Sequence, residues 1–164
     1  MKEMILNKYI YLTFAFLLFI SNSAFASCGC VPASLETRWK KADIIFTGTV
    51  HKIEVVNKYY KSTIPELPVK VTISILERFK GVKKEKEIDI HTSLSKFSCT
   101  GYPLEENKDY LFYGYKREPG SHEEWSFYNF PSGTYGIGGL CGGTAPIEDE
   151  DTKEELKALR KETS

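Results

Sequence analysis

Apolar and polar residues alternate with a period of two along several stretches of this chain, and with a helical period along two others. Ile44 to Val56 is rich in β-branched residues and reads as a long strand, with Ile45, Thr47, Thr49 and His51 on one face and Ile44, Phe46, Gly48 and Val50 on the other. Gly48 inside it predicts a bulge or a sharp bend, which a small barrel needs to turn its corners. Val69 to Phe79 predicts a second strand. Its Val69, Val71, Ile73 and Ile75 alternate with Lys70, Thr72 and Ser74, so one face is buried. Glu87 to Thr92 predicts a third strand, Tyr110 to Tyr115 a fourth with aromatics on both faces, and Trp125 to Tyr128 a shorter fifth. Leu35 to Lys41 predicts a short helix, N-capped by Ser34, on which Leu35, Arg38 and Trp39 share a face. Thr152 to Lys161 predicts an amphipathic helix with Leu156 and Leu159 inward.

Polar segments separate these elements. Asn57 to Pro68 reads as a connection, Lys80-Gly81 as a turn and Lys83 to Lys86 as a solvated loop. Ser93 to Tyr102 reads as a loop carrying Cys99. Tyr135 to Gly143 is glycine-rich, holds Cys141 and reads as turns, because its spacing does not match a phosphate-binding loop. Five strands, one helix before them and one after, without βαβ alternation, predict a mainly-β fold. The best match in size is a five-stranded barrel of the oligonucleotide/oligosaccharide-binding (OB) type.

The remaining apolar run stands apart. Ile10 to Ile20 spans 11 residues broken only by Thr13, follows Lys2 and Lys8, and leads to Ala24-Phe25-Ala26. These are the parts of a secretory signal over residues 1–26, and the run is shorter than the roughly 20 residues of a membrane span. One domain, 27–164, remains. Phe25-Ala26-Ser27-Cys28 also matches a loose bacterial lipobox, in which case Cys28 carries a lipid and holds the protein at a membrane. The expected location is therefore secreted, periplasmic or cell-surface, with membrane contact only through a lipidated Cys28.

Charge narrows the partners. The chain has 22 basic and 22 acidic residues, and a nucleic-acid binder would show a basic face. Nucleic acid is therefore not expected as a partner. Four cysteines, Cys28, Cys30, Cys99 and Cys141, in an exported chain favour disulfides. A bond between Cys28 and Cys30 would close a very small, strained ring. Two connectivities remain, with Cys28 joined either to Cys99 or to Cys141.

No catalytic constellation emerges. His51, His91 and His122 form no zinc-binding pair, and Ser34, Ser98 and Ser132 lack a nucleophile-elbow context. The aromatic set Tyr59, Tyr60, Tyr110, Phe112, Tyr113, Tyr115, Trp125, Phe127 and Tyr128 reads as core and rim packing before it reads as a ligand face. No enzyme activity and no cofactor are expected.

Several short pieces, taken in order, resemble one family. They are Cys28-Gly29-Cys30-Val31-Pro32, Ala42 to Val50, Phe79-Lys80-Gly81, Ser98-Cys99-Thr100-Gly101, Tyr110 to Gly114, Leu140-Cys141 and Ala145-Pro146. Together they resemble the N-terminal, netrin-like inhibitory domain of the tissue inhibitors of metalloproteinases. The resemblance implies disulfides Cys28–Cys99 and Cys30–Cys141. It implies a protease-binding ridge of Ser27, Cys28, Gly29, Cys30, Val31 and Pro32, aided by the loop around Cys99. It also implies that Cys28, if it is the mature N-terminus, chelates the zinc of a secreted metalloprotease through its α-amino group and carbonyl oxygen. Such a chelate would displace the water at the open zinc position.

Two residues depart from the pattern. Cleavage after Ala26 leaves Ser27 ahead of Cys28, and Gly29 offers no side chain to a specificity pocket. Two other readings accompany the inhibitor. One is an extracellular or lipid-anchored module binding a protein or glycan on the same barrel. The other is a thiol oxidoreductase using Cys28 and Cys30 as a redox pair.

Overall fold

A computed structural model describes residues 33–56, 67–94, 101–117, 130–138 and 142–163. The signal, the ridge 27–32, all four cysteines, His122, Ser98 and the expected strand Trp125 to Tyr128 lie outside these residues. So do the connection 57–66 and the aromatics Tyr59 and Tyr60.

Helix α1 covers Leu35–Lys41 and is capped as its sequence predicts: the Ser34 side chain accepts the Thr37 amide at 3.3 Å. Strand β1 follows as Ile44–Val55, then β2 (Leu67–Lys80), β3 (Glu87–Leu94) and β4 (Asp109–Lys116). Two short strands come next, β5 (Tyr135–Ile137) and β6 (Ala145–Pro146), and helix α2 ends the fold at Glu150–Glu162. The sheet order is β1-β2-β3-β5-β4-β6, and β1 also pairs with β4, which closes a five-stranded OB-like barrel.

The strand bounds differ from the periodicity in one consistent way. Strand β2 includes Leu67 and Pro68, and β3 runs on through Ser93 and Leu94, because these residues pair with each other. Proline is tolerated beside the strand start, where its missing N–H breaks little of the ladder. The larger correction is at β5. It lies inside the glycine-rich stretch read as turns, pairing parallel with β3 at Ile90 and antiparallel with β4 from Gly114 to Lys116. Three residues, one of them glycine, are too few for a period of two to show.

The bend expected at Gly48 is present. The β1–β2 register shifts between Thr47 and Gly48. A methyl group at position 48 would come within 2.5 Å of Ile73 Cγ2 and 2.8 Å of the Ser74 carbonyl oxygen, so only glycine lets the two strands close here.

Burial divides into two cores, and β1 and β4 belong to both. Ile44, Phe46, Val50, Tyr110 and Phe112 fill the barrel with Val69, Val71, Ile73 and Ile90. Phe46 and Phe112 stack there with centroids 5.1 Å apart. On the other face, Ile45, Leu111 and Tyr113 pack with Phe79, Leu156 and Leu159, against which Leu35 and Trp39 of α1 also lie. This accounts for the aromatics on both faces of β4. Each fully buried leucine of α2 contributes about 1.5–3 kcal/mol, and α2 needs that help because an isolated helix of its length is marginal in water.

Candidate functional site

The described segments that flank the predicted ridge and both cysteine loops gather at one end of the barrel. Gly114 of β4 pairs with Ile44 on one side and Ile137 on the other, which sets the start of β1 level with the end of β5. Strands β3 and β5 run parallel, so their C-terminal ends leave the barrel in the same direction. The chain beyond β3 carries Cys99, and the chain beyond β5 carries Cys141.

Both loops have closed stems. The Tyr102 amide donates to the Ser93 carbonyl at 3.2 Å, and a methyl group on Gly101 would lie 2.5 Å from Ser93 Oγ. Gly138 and Gly142 meet backbone to backbone, with a methyl on Gly142 falling 2.6 Å from Gly138 Cα. Side-chain-free residues at both stems bring the strands of each loop together where any larger residue would hold them apart.

Helix α1 is seated beside the second stem by a polar junction. Arg38 Nη1 pairs with Glu155 Oε1 of α2 at 2.9 Å, and both side chains are largely buried. The same Glu155 oxygen accepts the Tyr113 hydroxyl of β4. The guanidinium carbon of Arg38 stands 5.2 Å from the Tyr113 ring centroid, a cation–π arrangement. Gly143 backs it, since a methyl there would meet Arg38 Cδ at 2.7 Å and Nη1 at 2.9 Å. Burial and the carboxylate of Glu155 push the Tyr113 phenol well above its ordinary range. At the other end of α1, Lys80 Nζ donates to the carbonyls of Trp39 and Ala42, each at 2.6 Å.

A second junction closes the seam between β3 and β5. Arg117 Nη2 donates to the His91 carbonyl at 2.9 Å, and its guanidinium carbon lies 4.4 Å from the Phe130 ring centroid. Burial lowers the Arg117 pKa. The parallel pairing of β3 and β5 is a single residue pair, so Arg117 supplies a bond that the ladder lacks.

The outer face of β1, β2 and β3, where OB barrels present ligand-binding surface, is neutralised from within. Lys52 and Lys70 pair with Glu54 at 2.8 and 3.3 Å, Lys70 also reaches Asp89 at 3.6 Å, and Thr72 donates to Asp89 at 2.7 Å. Hydrogen bonding to Glu54 raises the Lys70 pKa, and hydrogen bonding from Lys52 lowers that of Glu54. The lysines at 83, 84 and 86 are exposed, as expected of a solvated loop. Arg78 is held there by the Lys83 carbonyl at 3.0 Å, and with Val82, Lys83 and Lys84 it lines a shallow hollow of about 540 Å³.

The remaining candidates fall where packing puts them. Tyr110, Phe112 and Tyr113 are core residues. His51 is exposed on β1 and His91 is buried on β3. Among the described residues no group of three or more His, Cys, Asp or Glu side chains could hold a metal ion, and no helix is long and apolar enough to cross a membrane. Sequence reading missed both the Arg38–Glu155–Tyr113 and the Arg117–Phe130 junctions. One signal was present: a cation on the Leu35–Trp39 face of α1 calls for an anion from the element it packs on.

No protein-family model matches the chain, and no curated protein is significantly similar to it in sequence.

Proposed function

We propose that this is a secreted, non-enzymatic protein that binds and inhibits a zinc endopeptidase through the ridge Cys28, Gly29, Cys30, Val31 and Pro32, with Ser27 removed along with the signal so that Cys28 is the first residue. One observation carries the reading. The OB-like barrel sends the β3 and β5 exits, which lead to Cys99 and Cys141, out in one direction, and α1, which begins just after the ridge, leans on the segment following Cys141. Disulfides Cys28–Cys99 and Cys30–Cys141 would then tie the ridge to two stems that are already closed. A tip held in this way loses little conformational freedom on docking. In this reading the amine and carbonyl of Cys28 act on the partner's zinc, and the chain itself holds no metal.

The internally paired charges on the β1–β3 face, and the burial of Tyr110, Phe112 and Tyr113, favour this reading over an aromatic glycan-binding or protein-binding face.

The test combines two measurements. Mass spectrometry of the exported protein identifies its first residue and whether Cys28 is lipidated, and a disulfide map assigns the four cysteines. The oxidised protein is then added to a panel of secreted zinc proteases. A free Cys28 amine with inhibition at micromolar protein or below is the expected result. No change in any hydrolysis rate, or a Cys28–Cys30 bond, would rule the reading out.

A further inference from the structure

We infer that Glu155, on the C-terminal helix, is a positioning residue for helix α1, which follows the ridge, and for the segment 142–146, which follows Cys141, acting through Arg38 and Tyr113. The inference rests on the ridge reading proposed above.

Helix α1 has seven residues and none of them is fully buried. Alone it would not persist, so its seat on the barrel decides where its first residue, the described end nearest the ridge in sequence, is held. Its C-terminal half is fixed by Lys80, which holds the carbonyls of Trp39 and Ala42. Its N-terminal half, the half that joins the ridge, is fixed by Leu35 packing and by Arg38.

Arg38 is constrained on three sides. The Tyr113 ring covers one face, the backbone at Gly143 lies against the side chain, and Glu155 holds Nη1. Glu155 Oε1 is shared between Arg38 and the Tyr113 hydroxyl, so one carboxylate sets the guanidinium over the ring. Gly143 also lies close to the ring itself, a methyl there falling 3.0 Å from Tyr113 Cδ2. The helix that follows the ridge and the segment that follows Cys141 are thereby referred to the same oxygen. Cys30 is four residues before Ser34, and Cys141 is two before Gly143. The junction therefore fixes, relative to one another, the described segments that follow each of them in the chain.

Glu155→Gln keeps the side-chain shape and an oxygen for Tyr113, but removes the charge that holds Arg38. Charge-assisted bonds of this kind make a difference of about tenfold or more in an equilibrium constant. In the oxidised full-length protein, amide hydrogen exchange in residues 33–42 and 142–146 is expected to quicken about tenfold in E155Q, with β1 to β4 unchanged. Against a zinc protease that the wild-type protein inhibits, the inhibition constant is expected to rise about tenfold at nearly constant melting temperature. Unchanged exchange in both segments, or an equal rise throughout the barrel, overturns the inference. So does a lowered melting temperature with an unchanged inhibition constant. Tyr113→Phe deletes one hydroxyl and is read by the same measurements should E155Q fold poorly. Wild-type protein that inhibits no protease removes the ridge reading alone, because the exchange pattern is measured without a protease.

Discussion

The guanidinium of Arg117 lies across the backbone of Gly136, where a methyl group would come within 2.8 Å of Cζ. The Phe130 ring centroid lies 4.4 Å from the same Cζ. Gly136→Ala is therefore expected to displace the arginine and cost about 1–2 kcal/mol, and Arg117→Met about the same, through loss of one mechanism. The double variant should be clearly less unstable than the sum of the two. Urea denaturation of the four proteins checks this, and full additivity would show the two positions to be independent.

Gly101 closes the stem of the loop that carries Cys99. Gly101→Ala puts a methyl group 2.5 Å from Ser93 Oγ and 2.9 Å from the Ser93 carbonyl carbon. Backbone cannot yield as a long side chain can, so the expected loss is about 1–3 kcal/mol. A lower denaturation midpoint with an unchanged slope is the readout.

Stability should fall in alkali. Burial raises the phenols of Tyr113, Tyr102, Tyr115 and Tyr110, that of Tyr102 up to about 12. Their folded pKa values lie above the unfolded value near 10, so the folded state holds these protons longer. The sign follows: this contribution is complete below about pH 10 and is lost as the pH rises from there toward the folded values. Melting temperatures from pH 8 to 11.5 should hold and then drop, and Tyr102→Phe should soften the drop.

Leu159 is fully buried between α2 and the barrel. Leu159→Ala is expected to cost about 2–5 kcal/mol, from lost transfer energy and a cavity. Calorimetry measures it, and a loss below 0.5 kcal/mol would mean that α2 packs loosely.

Much of the barrel was legible along the chain. Long strands with one buried face leave a period-two pattern, as Val69, Val71 and Ile73 do, and Ser34 announces the start of α1 through its own hydroxyl. Gly48 was legible as a bend because glycine inside a β-branched run has few other uses. Strand β5 was not. Its residues pair with Ile90 and with Gly114 to Lys116, partners distant in sequence, and so short a strand has no period of its own. The two arginine junctions were hidden for a related reason. Arg38 and Glu155 are far apart in the chain, and nothing local to either says that they meet.

The order of apolar and polar residues by itself determined the number of long strands, the two flanking helices and the buried face of β2, because these depend on spacing within a few residues, whereas the start of β1 and the end of β3 are buried on both faces. Closure of β1 on β4, the parallel β3–β5 seam and the shared Glu155 oxygen were decided only in three dimensions. Those contacts join segments whose pairing depends on the shift in register at Gly48 and on close backbone approach at Gly101, Gly136 and Gly143. A glycine in the sequence marks that such an approach is possible, and the folded chain supplies the neighbour that makes it necessary.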